Sequence, residues 1–155
     1  MAESLRHRIG IDIGRKLPAE QAVVWAAAND VRYFDIQCDL PPNAMERFDA
    51  RTCAAIRDAC ARDGLHLGLR TLSAVNVAEV APFLRDAADQ YLRAYIDLAK
   101  AMAAEWVVVH GGYRRSPAQT CNGPSPSTTL IMTNRASPAG STAWTGAAAL
   151  RCEWL

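Results

Sequence analysis

The segment Asp97–Gly112 reads DLAKAMAAEWVVVHGG and joins the end of a long helical pattern to a short apolar strand. Three consecutive valines are typical of a parallel strand that is covered on both faces. His110 and two glycines follow the valines, which indicates a sharp turn at the carboxyl end of the strand. A helix, a strand and a turn in this order form the repeating unit of an α/β protein.

The same alternation extends toward the N-terminus of the chain. Apolar runs predict four strands, at residues 8–14, 31–39, 65–72 and 106–110. Helix-length segments with suitable caps predict three helices, from about Pro18 to Asn29, from Asp49 to Asp63 with Gly64 as the stop, and from Ala81 to Glu105. Together these elements predict a parallel sheet covered by helices.

Residues 114–155 differ in composition from the rest of the chain. They are rich in Ser, Thr and Pro, carry a net charge of +3 while residues 1–113 carry −2, and hold no helical or strand periodicity for long. We predict an irregular or disordered tail over 114–155. One hypothesis for the abrupt change is a shift of reading frame. The Arg- and Ala-rich chain has few lysines, which indicates GC-rich coding DNA, and such DNA read out of frame would give the composition of the tail.

Composition limits the class of protein. The 155 residues, 50% of them apolar, suffice for one packed domain. A net charge of +1 disfavours nucleic-acid partners, and the longest apolar run, Ala22–Ala28, is too short to cross a membrane. The 5 cysteines include no C-x-x-C pair, so neither a disulfide framework nor a zinc knuckle is predicted. We therefore expect a cytoplasmic protein without nucleic-acid or membrane partners.

Four strands with three helices fit either a small open α/β sheet or the first half of a (β/α)₈ barrel. Polar residues at the carboxyl ends of the predicted strands favour the half barrel, because barrel enzymes carry their catalytic groups there. The candidates are Asp35 on the second strand, Arg70 on the third, Asn76 in the loop after it, and His110 on the fourth.

Two segments carry a family resemblance: RYFDIQCDLPPN at 32–43 and LRTLSAVNVAEVAPFLRDAADQYLRAYIDLAKAMAAEWVVVHGGY at 69–113. They resemble the N-terminal half of xylose isomerase-like TIM barrels, and the resemblance covers residues 8–113. It implies that residues 1–113 form a partial (β/α)₈ barrel of about four βα units. The family contains sugar and sugar-phosphate isomerases and epimerases, with endonuclease IV-type DNA repair enzymes as relatives.

The resemblance also implies a divalent metal ion, Mn, Mg, Zn or Co, held by His and carboxylate groups at the strand ends. Such a metal polarises a hydroxy-carbonyl sugar or sugar phosphate, while an acidic residue moves a proton between adjacent carbons. His110 matches the fourth-strand histidine of the family, which is a metal ligand or a substrate contact. Asp35, Arg70 and Asn76 are expected to bind the substrate.

The chain departs from the family pattern at the third strand, where relatives commonly end in His-Thr and this sequence has Arg70–Thr71. A guanidinium offers no lone pair to a metal and repels it. The remaining carboxylate ligands and the catalytic Glu of the family lie on later strands, so no catalytic residue is assigned. We expect a truncated isomerase or epimerase with an incomplete metal site and doubtful activity.

Two alternative functions remain open. One is a non-catalytic half-barrel module that binds a sugar or another protein, and the other is an endonuclease IV-like enzyme that cuts abasic DNA. The net charge of −2 on residues 1–113 disfavours the endonuclease, which needs a basic groove. A half barrel leaves the edges of its first and fourth strands unpaired, so we also expect self-association unless the tail covers an edge.

Each candidate residue also has a structural interpretation. His110 can be a hydrogen-bonded residue at a strand end, Arg70 can form a plain salt bridge, and Asn76 can cap a helix. Three carboxylates can either line the mouth of the barrel or serve as caps and arginine partners: Asp12, Asp35 and Asp39. Residues expected to be structural are His66, Cys53 and Cys60.

Overall fold

The computed structural model describes residues 9–111 with their side chains and, beyond them, the backbone of residues 128–136 and 142–147. The elements are β1 (Gly10–Gly14), α1 (Ala19–Ala28), β2 (Tyr33–Gln37), α2 (Ala50–Asp63), β3 (His66–Arg70), α3 (Pro82–Ala101), β4 (Trp106–Gly111), β5 (Thr128–Ala136) and β6 (Thr142–Ala147). A 3₁₀ helix, Met45–Arg47, lies between β2 and α2. The prediction of four strands alternating with three helices is confirmed for residues 9–111.

The six strands form one sheet in the order β1-β2-β3-β4-β5-β6. Neighbouring strands from β1 to β4 are parallel. β5 is antiparallel to β4, and β6 is antiparallel to β5. The described residues therefore form an α/β fold with a parallel sheet of four strands, as the sequence predicts.

The structure differs from the sequence prediction in the segment 114–155, because β5 and β6 are regular strands within it. β5 contains three threonines and an isoleucine, residues that favour extended structure. The surrounding Ser, Pro and Gly obscure this local preference in the sequence. β5 also pairs along β4, so the edge of the fourth strand, predicted to be open, is covered. The other residues of 114–155 lie outside the described part of the chain.

The helix ends depend partly on neighbouring residues and partly on distant ones. Asp49 caps α2 by accepting a hydrogen bond from the backbone N–H of Thr52 at 2.7 Å, and Gly64 ends this helix with a left-handed φ of 63°. α1 is capped from far along the chain, because Ala19 donates its N–H to Oδ1 of the buried Asn43 at 2.8 Å. The caps of α2 are readable from the sequence, whereas the cap of α1 requires the folded chain.

α3 ends at Ala101, before the predicted end at Glu105. Ala103 has a left-handed φ of 54°, and the N–H of Ala104 bonds to the carbonyl oxygen of Ala99 at 2.8 Å. This hydrogen bond is that of a Schellman stop, in which glycine usually takes the left-handed position. Without a glycine to mark it, the stop escapes prediction. No helix among the described residues is long and apolar enough to cross a membrane.

The three helices pack on one face of the parallel sheet, here called the helix-covered face. Its strand residues are apolar, and all but Ile11, which is 36% exposed, are buried: Ile13, Phe34, Ile36, Leu67, Leu69, Val107 and Val109. Helix residues in the same core include Ala22, Val23, Cys53, Ile56, Cys60, Tyr95 and Ala99. Cys53 and Cys60 are therefore core residues, as expected. Burial of these side chains stabilises the sheet and holds the strands in register.

The opposite face of the parallel sheet carries no helix among residues 9–111 and is here called the open face. Its residues alternate with those of the core along each strand. They are Gly10, Asp12, Tyr33, Asp35, Gln37, His66, Gly68, Arg70, Trp106, Val108 and His110. Apart from Gly68, these residues are half-buried or exposed. The open face thus presents polar and aromatic side chains on a rigid sheet.

Candidate functional site

Three of the four candidate residues lie together on the open face. Arg70 and His110 are near the carboxyl ends of β3 and β4, and Asp35 is in the middle of β2. The sheet register places Asp35 beside Asp12 of β1, and it places Arg70 beside Val108 of β4. His110 follows Val108 by two residues and therefore projects from the same face. We call the four side chains of Asp12, Asp35, Arg70 and His110 the Arg70 cluster.

Arg70 lies at the centre of this cluster and contacts two of its members. Its Nη1 donates a hydrogen bond to Oδ2 of Asp12, and its Nε donates to Nε2 of His110 at 3.4 Å. The second bond is long and requires an unprotonated Nε2. The side chain of Arg70 is 35% exposed, and its Nη2 donors have no partner among residues 9–111. The salt bridge of the structural interpretation of Arg70 is present, and binding of a substrate by Arg70 stays a prediction.

Asp35 is the group of the cluster that is best suited to proton transfer. The pKa of Asp35 is raised from 3.8 to about 6, mainly by burial and to a smaller extent by the neighbouring Asp12 carboxylate. The positive charge of Arg70 and a backbone hydrogen bond act in the opposite direction without cancelling the increase. A carboxyl group that titrates this close to neutral pH can serve both as an acid and as a base.

The backbone of Arg70 is held in place from the helix-covered side. The hydroxyl of buried Tyr95 lies 2.9 Å from the carbonyl oxygen of Arg70 and 2.8 Å from Oδ2 of Asp39, and it accepts a hydrogen bond from the N–H of Cys38. The hydroxyl of Tyr91 donates to Oδ1 of Asp39 at 2.5 Å. Burial raises the pKa of both tyrosines, so their hydroxyls stay protonated. Asp39 thus anchors α3 to the ends of β2 and β3.

The divalent metal implied by the family resemblance does not fit the arrangement of the Arg70 cluster. The guanidinium lies between Asp12 and His110 and donates to an acceptor atom of each, so those lone pairs are already engaged. Its fixed positive charge also repels a second cation. His110, expected to bind metal or substrate, here accepts a hydrogen bond from Arg70.

Asn76 lies apart from the Arg70 cluster, in the loop between β3 and α3. Its Oδ1 accepts a hydrogen bond from the N–H of Ala78 at 3.2 Å, and its Nδ2 donates to Oε2 of Glu79 at 3.5 Å. Asn76 does not cap α3, which begins at Pro82. Asn76 and Glu79 line a cleft of about 330 Å³, and no residue of the Arg70 cluster lines it. A substrate contact by Asn76 stays a prediction.

Three rings occupy the open face toward the amino ends of the strands. Tyr33 stacks on His66 with centroids 4.5 Å apart and planes at 10°, and Trp106 lies 6.4 Å from Tyr33. Oε1 of Glu105 lies 2.6 Å from Nδ1 of His66. Trp106 extends across Gly68, where an added Cβ would lie 2.0 Å from the indole nitrogen. We call Tyr33, His66 and Trp106 the aromatic platform.

Sequence reasoning missed the aromatic platform as a set of residues. The sequence does contain one signal for it. Side chains two residues apart on a strand lie on the same face of the sheet, so Tyr33 shares a face with Asp35, and His66 shares a face with Arg70. His66 was expected to be structural, and its contacts with Tyr33 and Glu105 agree with that expectation. The contact between Gly68 and Trp106 depends on the register of β3 against β4, which the sequence does not specify.

No protein-family model matches the chain, and no curated protein matches it. The resemblance of residues 8–113 to xylose isomerase-like barrels stays a prediction.

Proposed function

We propose that this chain binds a sugar or a sugar phosphate through the Arg70 cluster, as a member of the xylose isomerase-like group that works without a metal. The observation that carries this proposal is the guanidinium of Arg70, fixed by Asp12 and His110 at the strand ends with its Nη2 donors turned to no protein atom of residues 9–111. Phosphate and hydroxyl oxygens accept hydrogen bonds from such donors. The carboxylates of Asp12 and Asp35 can in turn accept from sugar hydroxyls.

The order of the strands supports the barrel part of the proposal. β1 to β4 are neighbours in chain order, and the three helices pack on the same face of the sheet. A doubly wound sheet reverses its strand order and carries helices on both faces, whereas a barrel segment does neither. Barrels bind their substrates at the carboxyl ends of the strands, which is the edge where Arg70 and His110 lie.

Calorimetric titration of the full chain with D-fructose 6-phosphate and with D-fructose tests the binding. Arg70→Gln is expected to weaken binding of the phosphate ester by about tenfold or more, because hydrogen bonds to charged groups contribute about 1.5–3 kcal/mol. Arg85→Gln is the matched control, since Arg85 is an exposed residue of α3 next to Asp86. Circular dichroism checks that both variants fold. Equal binding by Arg70→Gln and wild type, or no binding by the wild type, would contradict the proposal.

Titration with Mn²⁺ separates a metal-free site from a metal-dependent one. In the wild-type chain we expect no selective paramagnetic broadening of the NMR signals of Asp12, Asp35 and His110. The reason is that Arg70 donates hydrogen bonds to Asp12 and His110 and its positive charge repels the metal ion. Arg70→His removes the guanidinium and supplies a lone pair, so selective broadening is expected in this variant. Selective broadening in the wild type would instead favour the metal-dependent isomerase implied by the resemblance.

The pKa of Asp35, about 6, favours a second candidate, an isomerase or epimerase that uses no metal. Such a carboxylate can move a proton between adjacent carbons while the nearby Arg70 polarises the carbonyl oxygen. In D₂O we expect one hydrogen at C1 of D-fructose 6-phosphate to exchange for deuterium, and NMR measures this exchange. Asp35→Asn should abolish this exchange, while Asp58→Asn, at an exposed site of α2, should leave it unchanged. Binding without exchange by the wild type would leave a binding module.

A further inference from the structure

The aromatic platform and the Arg70 cluster are neighbours on the open face. Tyr33 precedes Asp35 by two residues on β2. Gly68 precedes Arg70 by two residues on β3, and the indole of Trp106 lies over Gly68. Two residues of a strand span about 7 Å. The rings and the charged groups thus lie within the reach of a single small molecule.

The rings of the platform are held in defined positions by their neighbours. His66 stacks on Tyr33 and its Nδ1 lies 2.6 Å from Oε1 of Glu105, so the imidazole is fixed from two sides. Trp106 fits across the sheet because β3 has a glycine, Gly68, beneath the indole. Tyr33, His66 and Trp106 are nevertheless only half-buried. The platform is therefore a partly exposed aromatic surface that is ordered before any ligand arrives.

We propose that the aromatic platform and the Arg70 cluster form one elongated site for a monosaccharide that carries an anionic group. The C–H face of the sugar ring packs on Trp106 and Tyr33, and its carboxylate or phosphate binds the Nη2 side of Arg70. This inference rests on the function proposed above and extends it to a second set of residues and a narrower class of ligand.

The charges around the site favour one anionic group over several. Arg70 is the cationic side chain of the open face, while Asp12, Asp35 and Glu105 lie on or beside it as carboxyl groups. A polyphosphate would meet these carboxylates as well as the arginine. A monosaccharide with one charged end instead offers its hydroxyl groups to the carboxylates as hydrogen-bond donors.

The test uses the uniformly ¹⁵N-labelled full chain, with the indole signal of Trp106 assigned from Trp106→Phe and the Nε signal of Arg70 assigned from Arg70→Lys. The probes are D-glucuronate, D-glucose 6-phosphate, inorganic phosphate and acetate. Either sugar anion is expected to shift both signals along one saturation curve. Phosphate and acetate are expected to shift Arg70 alone, with an affinity about tenfold lower. The tighter of the two sugar anions tells whether a carboxylate or a phosphate is preferred.

Variants of the platform provide the second readout. Trp106→Leu should weaken binding of the preferred sugar anion by about tenfold and leave binding of the matching small anion unchanged, because only the sugar reaches the indole. Tyr33→Leu should act in the same direction and replaces Trp106→Leu if that variant does not fold. Trp25→Leu is the matched control, since Trp25 is a partly exposed residue of α1.

The outcomes distinguish this inference from the function on which it rests. A sugar anion that shifts Arg70 but leaves Trp106 unmoved would overturn the extended site while binding at the Arg70 cluster stands. A chain whose Arg70 signal responds to no probe would overturn both. Equal affinities for sugar anions and small anions, together with no effect of Trp106→Leu, would likewise overturn the role of the platform.

Discussion

The two faces of the parallel sheet are built from the same strands and differ in almost every property. On β4, Val107 is 1% exposed beneath the helices, whereas its neighbour Val108 is half-buried on the open face. On β3, Leu69 is fully buried, and the next residue, Arg70, binds Asp12 on the open face. One sheet thus separates the side chains that stabilise the fold from those available for binding.

This difference has a physical cause in the three helices. They remove one face from water, which favours apolar side chains there and penalises any unpaired polar group. The other face keeps solvent access, so charged groups such as Asp12 and Arg70 cost less to place on it. Strands fixed by the buried face then hold the open-face side chains at constant spacing.

The largest expected effect tests whether the two faces differ in stability. Val107→Ala should lower the free energy of unfolding by about 2 kcal/mol, because it leaves a cavity in the core. Val108→Ala is the matched control and should cost less than about 1 kcal/mol, since the two substitutions lose the same strand preference and differ in burial. Urea denaturation measures both values. Equal losses would mean that the open face is also covered in solution.

The next effect concerns the anchor between the helices and the site. Tyr95→Phe should lower the free energy of unfolding by about 1.5 kcal/mol, because the N–H of Cys38 and the oxygens of Asp39 and Arg70 lose a buried hydroxyl partner. Tyr33→Phe on the open face should change stability little, as its hydroxyl has no hydrogen-bond partner among the described residues. A larger loss for Tyr33→Phe than for Tyr95→Phe in thermal unfolding would reverse the comparison.

The smallest effect has the opposite sign. Asp35→Asn should raise the free energy of unfolding at pH 7 by about 1 kcal/mol, a value reduced from the full effect of the shift because Asp35 is only half-buried. The raised pKa of Asp35 means that the ionised carboxylate is disfavoured in the folded chain. Removing this charge therefore stabilises the fold. The measured increase would mean that Asp35 lowers the stability of the wild-type chain.

The pH dependence of this difference follows from the two pKa values. Below pH 3.8 the carboxyl group of Asp35 is protonated in both the folded and the unfolded chain. The charge of Asp35 then makes no difference between the stabilities of Asp35→Asn and wild type. Between 3.8 and about 6 the unfolded chain releases its proton first, and the wild type loses stability as the pH rises. Above that range the difference is constant. A difference that shrinks as the pH rises would contradict the raised pKa.

The sequence was a good guide where structure depends on neighbouring residues. Asp49 and Gly64 mark the ends of α2 through local hydrogen bonding and a left-handed turn, and both ends can be predicted from the residue type alone. The cap of α1 by Asn43 is not, because the two lie far apart in the chain. The strands β5 and β6 escape prediction for a related reason. β5 pairs with β4 and β6 pairs with β5, so antiparallel pairing stabilises segments whose own composition indicates irregular structure.

Three of the four candidate residues lie together in the structure, and their role in binding stays a prediction. Asp35, Arg70 and His110 were selected because polar groups at strand ends line the mouths of barrels, and they lie together. The sequence did indicate that Arg70 weakens a metal site. It did not indicate that Arg70 itself would join Asp12 to His110, since that depends on how β3 is placed relative to both β1 and β4.

The sequence by itself determined the order of the elements, the period of two that sorts each strand into an apolar and a polar half, and the identity of most groups in the Arg70 cluster. These follow from local backbone preference and from burial, which act on neighbouring residues. The tertiary structure alone decided that Trp106 extends across Gly68, that Tyr95 holds Arg70 from behind, and that β5 covers the edge of β4. Each of these contacts joins residues far apart in the chain, and their spacing is fixed only when the core packs.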